Sequence, residues 1–186
     1  TNYFNHYNDL IINKKGTIAK QIAECNEILL TEILTHNLLH NLSSAEIVAV
    51  LAIFIEEKTI DGESLSLDDL DIPSSSIQVI KQIKSISSNF DFNESQYHLN
   101  TKTDWNIYLE FIQPAYMWIQ NKSIYEIKSY SQYEGNFIKN IIKINNILEN
   151  IKSICTIIED FDLLYKIQDL YKILIRDQVT LESLYV

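Results

Sequence analysis

The chain has 186 residues, 46% of them hydrophobic, and a net charge of −10 from 25 acids against 15 bases. That length suits one domain able to bury a core without staples, and that composition excludes a disordered chain. The acidity excludes strong stand-alone binding to nucleic acid, because phosphate neutralisation dominates such affinity.

Only three glycines (Gly16, Gly62, Gly135) and two prolines (Pro73, Pro114) interrupt the chain. Few breakers predict an all-α fold, a helical bundle of about eight or nine helices with no sheet. Residues 1–9 lack the basic-then-apolar organisation of a signal peptide, and a start at Thr1 reads as a processed or excised chain. Asn26 is placed to cap a helix carrying Ile28, Leu29, Ile33 and Leu34. Ser43-x-x-Glu46 reads as a capping box opening a second helix through Ile55, apolar nearly all round and therefore central. Its apolar run, residues 47–55, is too short for a membrane span of about 20 residues.

Residues 59–76 are acidic, with Asp61, Glu63, Asp68, Asp69 and Asp71, and read as an exposed loop. They lack the DxDxDG order of a calcium loop. The triple serine 74–76 is expected to cap a helix over residues 77–86, followed by a polar segment over 87–102. A long helix from about Thr103 would carry Trp105, Tyr108, Leu109, Ile112, Tyr116 and Trp118, with a kink at Pro114. Both tryptophans read as core. Ser123-x-x-Glu126 and Ser131-x-x-Glu134 are further capping boxes. The second opens the clearest helix, running through Ile154, and two more helices fill residues 160–185.

Little in this pattern carries chemistry. No GxxxxGK[ST] loop is present, so the chain by itself should bind no ATP as a motor does. No catalytic nucleophile sits in a recognisable frame. His36 and His40 are four apart, as zinc-binding pairs are, but the spacing HNLLH lacks the glutamate of HExxH. No metal site is expected. Cys25 and Cys155 stand alone, which implies no disulfide framework and a reducing compartment. Frequent Ile, Asn and Lys read as an AT-rich genome, such as that of a large virus or a protist.

Four stretches, in order, resemble one family. Lys15-Gly16-Thr17-Ile18-Ala19 followed by residues 26–34 is similar to the opening of the DSHCT domain, the C-terminal domain of superkiller/exosome-cofactor helicases. Residues 45–58 resemble that family's next helix. Tyr133-Glu134-Gly135-Asn136-Phe137-Ile138-Lys139 resembles its Phe-Glu-Gly motif. Arg176-Asp177-Gln178-Val179 with Ser183-Leu184-Tyr185-Val186 resembles its terminal motif, which implies that Val186 ends the protein. The likeness covers residues 1–186. The chain departs at Ile142, where the family is basic, at Asn145 and Asn146, where it is acidic, and at Asn121, where it has glycine.

The resemblance implies an accessory domain of a superfamily 2, ATP-dependent RNA helicase moving 3′ to 5′, intracellular in cytoplasm, nucleus or virion. ATP and Mg would belong to motor domains outside this chain, with no cofactor in the chain itself. A "ratchet" helix would hold single-stranded RNA leaving the motor, with RNA-decay or processing machinery as a further partner. On residues 134–153, Lys139, Lys143, Asn146 and Asn150 share one face at steps of four, three and four. Phe137, Ile138, Ile141, Ile142, Ile144, Leu148 and Ile151 form the opposite stripe. This segment carries three lysines against two glutamates, within an acidic chain. From spacing alone the polar face reads as ordinary solvated surface. The resemblance makes Lys139, Lys143 and Asn146 RNA-binding, together with Glu57, and implies that Gly135 allows a close backbone approach. Two other readings stay open: a protein-docking module without RNA contact, and a helix-turn-helix over residues 123–144.

Overall fold

The computed structural model describes residues 3–6, 10–57, 65–127 and 134–176. It is an all-α bundle with nine α-helices among the described residues. The chain opens, against expectation, with an antiparallel hairpin of two three-residue strands, β1 (Phe4–His6) and β2 (Leu10–Ile12), with Asn5 opposite Ile11. Its end is tied down by the Asn13 N–H, which donates to the Tyr3 carbonyl at 3.1 Å.

Helix α1 (Lys14–Ala19) starts on the Asn13 side chain, which accepts from the Gly16 N–H. It leans on α2 (Glu27–Thr35), whose Asn26 cap accepts from the Leu29 N–H at 2.9 Å. Glu32 on α2 is almost fully buried, which costs free energy unless its charge is paired. Lys15 bonds both its oxygens, at 2.8 and 2.7 Å, and the Tyr3 hydroxyl donates to it at 2.8 Å. Hairpin, α1 and α2 are thereby tied at one carboxylate.

Helix α3 (Ser44–Leu51) opens with the expected capping box: the Ser43 N–H donates to Glu46 and the Glu46 N–H to Ser43. A 3₁₀ turn, Ala52–Phe54, continues it. Every residue from Ile47 to Ile55 is buried, because α3 packs against α4, α5 and α7. Helix α4 spans Ser74–Gln96, 23 residues, longer than expected and without a break after residue 86. Ile80, Ile83 and Ser87 keep one buried line, and Phe90 extends it by stacking on Trp105 at 5.1 Å. Serine and asparagine on the other sides dilute the apolar pattern without ending the helix. The three serines form its first turn, and none caps it.

The long helix expected from Thr103 is absent. Residues 101–109 are irregular, and α5 covers only Ile112–Ile119. Pro114 is its third residue, in the first turn where an N–H has no helical partner, so it starts the helix without kinking it. Trp118 is core, donating from its indole nitrogen to the Leu174 carbonyl at 2.9 Å. Trp105 is half-buried. Asn121, where the family has glycine, takes a left-handed φ of 64°, which asparagine tolerates. Helix α6 (Ile124–Ile127) starts at the Ser123 and Glu126 capping pair. The other expected box includes Ser131, which lies outside the described residues.

Helix α7 (Glu134–Ile158) buries Phe137, Ile141, Ile144, Ile147, Leu148, Ile151, Ile154 and Cys155. Ile142, placed in the stripe from the sequence, is instead 40% exposed, and Ile147 takes the inner position. Helices α8 (Phe161–Ile167) and α9 (Leu170–Leu174) fold back against α7, and the terminal motif beyond Arg176 lies outside the described residues.

Candidate functional site

Helix α7 has a buried side and an open side, and the polar line 139–143–146–150 runs along one border between them. Lys139 is exposed, whereas Lys143, Asn146 and Asn150 are half-buried. Lys143 reaches across to the C-terminal end of the 3₁₀ turn, where its ammonium donates to the Phe54 carbonyl at 3.3 Å. The last carbonyls of a helix lack internal partners and carry partial negative charge, so a lysine is stable there. One turn earlier on α7, the Asn140 amide donates to the Glu57 carboxylate. Lys143 and Glu57 are therefore both anchored where residues 54–57 pass α7. Lys139 and Asn146 flank Lys143 on the same line.

Asn150, part of the polar face, has a structural job: its side-chain oxygen accepts from the Ala23 N–H at 3.1 Å. It brackets the α1–α2 connection to α7. Gly135 also departs from expectation. A Cβ built there meets no described atom within 4 Å, so among the described residues no close approach depends on it. Of the two described glycines, Gly16 is the crowded one, with Ile12 Cγ2 and the Tyr3 carbonyl oxygen both 2.6 Å from such a Cβ.

Beside Lys143 opens a cleft of about 410 Å³. It is walled by Cys25, Asn26 and Glu27 at the start of α2, by Phe54, and by six residues between Thr101 and Tyr108. This wall stands where a helix is expected, because Trp105, Tyr108, Leu109 and Ile112 recur at helical spacing. Residues 103–109 are held without regular structure. Asp104 accepts from the Asn106 N–H at 3.0 Å, the Asn106 amide at 2.8 Å and the Tyr108 hydroxyl at 2.8 Å. The Asn26 amide donates to the Asp104 carbonyl at 2.8 Å, and the Tyr108 N–H to the Ile53 carbonyl at 3.1 Å.

The electrostatics of the cleft follow from this packing. Burial pushes the Tyr108 phenol up to about 12, helped by its bond to Asp104 and that carboxylate's charge. Burial likewise pushes the Cys25 thiol up to about 12, with Lys143 pulling it down and Glu27 and Glu24 pushing it up. Cys25 is therefore a thiol at neutral pH and no nucleophile. The two histidines do not share a helix face, since α2 ends at Thr35. His36 caps α2 with Nδ1 2.9 Å from the Glu32 carbonyl, and His40 Nε2 lies 3.0 Å from Asp160. Among the described residues no group of three His, Cys, Asp or Glu is placed to hold a metal ion, and no helix is long and apolar enough to cross a membrane.

Comparison with known proteins places this arrangement in a family. The DSHCT (NUC185) domain matches residues 9–181. An uncharacterized helicase of Schizosaccharomyces pombe is 26% identical over 181 residues, covering 95% of this chain and 17% of that protein. The ATP-dependent RNA helicase mtr4 of the same yeast is 24% identical over 184 residues, 96% of this chain and 16% of its own length. The DExH-box ATP-dependent RNA helicase DExH9 of Arabidopsis thaliana is 21% identical, covering 96% of this chain and 18% of its own length. The chain thus spans about a sixth of the length of these relatives. With the family match extending over nearly all of an all-α chain, the chain belongs to the DSHCT (NUC185) domain family.

Proposed function

We propose that this domain holds single-stranded RNA for an ATP-dependent 3′–5′ RNA helicase, receiving the strand as it leaves motor domains in the same polypeptide. ATP and Mg would be bound by those motor domains. Lys139, Lys143 and Asn146 would meet the strand from α7 acting as a ratchet helix, with Glu57 at its flank. The observation that carries this reading is the line of two lysines and one asparagine on an accessible border of α7, beside an open cleft. Lysines can meet phosphate as point charges and asparagine can meet base or sugar. The names of the relatives, two of them ATP-dependent RNA helicases, supply the setting. RNA-decay or processing machinery is the partner that such a strand-guiding role serves.

The test uses the complete helicase carrying Lys139→Ala, Lys143→Ala and Asn146→Ala together. Unwinding of a 3′-tailed duplex should slow, with basal ATP hydrolysis nearly unchanged, since each lost contact is worth on the order of 1 kcal/mol and lies outside the motor. Unwinding at the wild-type rate refutes the reading. A second reading, a protein-docking module without RNA contact, is favoured by one observation. Ile157, Phe161 and Tyr165, spaced four apart across the α7–α8 corner, are exposed, the last two to 62% and 76%. Under that reading the triple variant unwinds normally, and polar replacement of Phe161 and Tyr165 impairs assembly.

A further inference from the structure

Resting on the strand-holding reading of α7, we propose that the cleft between residues 101–108 and the start of α2 is a single-nucleotide subsite, in which Lys102 and Lys143 take phosphates and Tyr108 stacks a base. Its volume, about 410 Å³, falls within the usual range of small-ligand clefts and suits one nucleotide turned off the strand. Its charged wall residues are Lys102 and Lys143, from different elements, set against Glu27 and Asp104, so the cleft is balanced in charge within a chain of net charge −10. Lys143 belongs at once to the α7 line and to the cleft, so a strand meeting α7 passes the opening. Lys102, in the 101–108 wall, is exposed, at a left-handed φ of 57°.

The wall is tied by hydrogen bonds at Tyr108 and Asp104. Tyr108 is held at its hydroxyl by Asp104 and at its N–H by Ile53, so its ring is fixed before any base arrives. A positioned aromatic ring takes any base by stacking, and single-stranded RNA is gripped chiefly in this way. The carboxylate of Asp104 accepts three hydrogen bonds from Asn106 and Tyr108, which orders the loop around it while its negative charge stays, offset by the two lysines of the wall. Asn106 is exposed at the same wall and donates its amide inward, leaving its oxygen as an acceptor for a base edge or a 2′-hydroxyl. An irregular segment pinned this thoroughly at a cleft is a common setting for a binding site.

The experiment measures binding of a fluorescent oligouridine to the complete helicase across a salt series, with and without Lys102→Asn. Asparagine accepts the left-handed backbone and removes the ammonium together with its long stem. Each phosphate contact to a single strand contributes about 0.7 to the slope of log affinity against log salt. Lys102→Asn should lower the slope by about that amount and weaken binding roughly fivefold near 0.1 M salt. In the wild type, oligouridine containing 4-thiouridine should photocrosslink within the tryptic peptide of residues 103–122, which contains Tyr108. The proposal needs both results, and either one without the other overturns it. If both fail while the α7 triple variant loses salt slope, the subsite falls and the strand-holding reading stands. If the triple variant also binds as wild type, both fall.

Discussion

Replacing Gly16 with alanine while separately replacing Gly135 sets two glycines of the family-like motifs against each other. At Gly16 a new Cβ lies 2.6 Å from Ile12 Cγ2 and 2.6 Å from the Tyr3 carbonyl oxygen, where ordinary contact begins at 3.4 Å. The isoleucine methyl can rotate away, but the carbonyl belongs to the hairpin backbone and already accepts from the Asn13 N–H. Either the hairpin withdraws or α1 tilts. Overpacking of this kind costs about 1–3 kcal/mol, which for a chain of this size lowers Tm by about 2–4 °C per kcal/mol. At Gly135, exposed and near the start of α7, the same methyl meets no described atom. Alanine there restricts the unfolded chain and favours the helix by up to about 1 kcal/mol. Thermal melts should therefore move in opposite directions. Amide exchange at Asn13 distinguishes local fraying of the hairpin from global loss, because fraying speeds that amide alone. A Gly16→Ala variant with unchanged Tm and unchanged Asn13 exchange would refute the packing argument. So would a Gly135→Ala variant that melts several degrees lower.

Two other perturbations probe the core and its capping. Phe137 is fully buried between Phe111 and Trp118, with ring centroids at 5.5 and 5.2 Å. Phe137→Ala should cost about 3–5 kcal/mol in urea unfolding, and a loss under about 1 kcal/mol would mean the site collapses around the missing ring. Burial pushes the Glu46 carboxyl up, but hydrogen bonds from Ser75, Ser43 and Ser76 outweigh it and hold the group below its ordinary value. A depressed folded-state pKa gives stability that is present above the unfolded value of about 4.3 and lost as pH falls through the folded one. The stability gap between wild type and Glu46→Gln should thus be constant near neutrality and narrow in acid. A gap independent of pH down to the acid limb would remove the carboxylate from the account.

Asn26, Ser43-x-x-Glu46 and Ser123-x-x-Glu126 sit at helix starts because capping is chemistry between neighbours, readable within four residues. The burial of residues 47–55 and most of the inner stripe of α7 were readable for the same reason, since periodicity is local. Where the tertiary contacts outweigh local pattern, the sequence misled. The α4 helix runs on to Gln96 because Phe90 finds Trp105, a residue 15 positions away. Residues 103–109 carry helical spacing but are recruited into a loop by Asp104, Asn26 and Ile53.

The interface divides along the same line. That Lys139, Lys143, Asn146 and Asn150 share a face follows from helix geometry alone. Which of them remain accessible does not. Only the packed structure turns Asn150 into a bracket on Ala23, draws Lys143 to the Phe54 carbonyl and binds Asn140 to Glu57. Only the structure sets a cleft beside Lys143, because its walls come from segments some 40 and 120 residues away in the chain. The all-α class, several caps and the composition of α7 are legible in the sequence alone, because all of them depend on interactions within one or two turns. Accessibility, the crowded glycine and the cleft depend on which surfaces meet across the bundle, and a long-range contact leaves no mark in local periodicity.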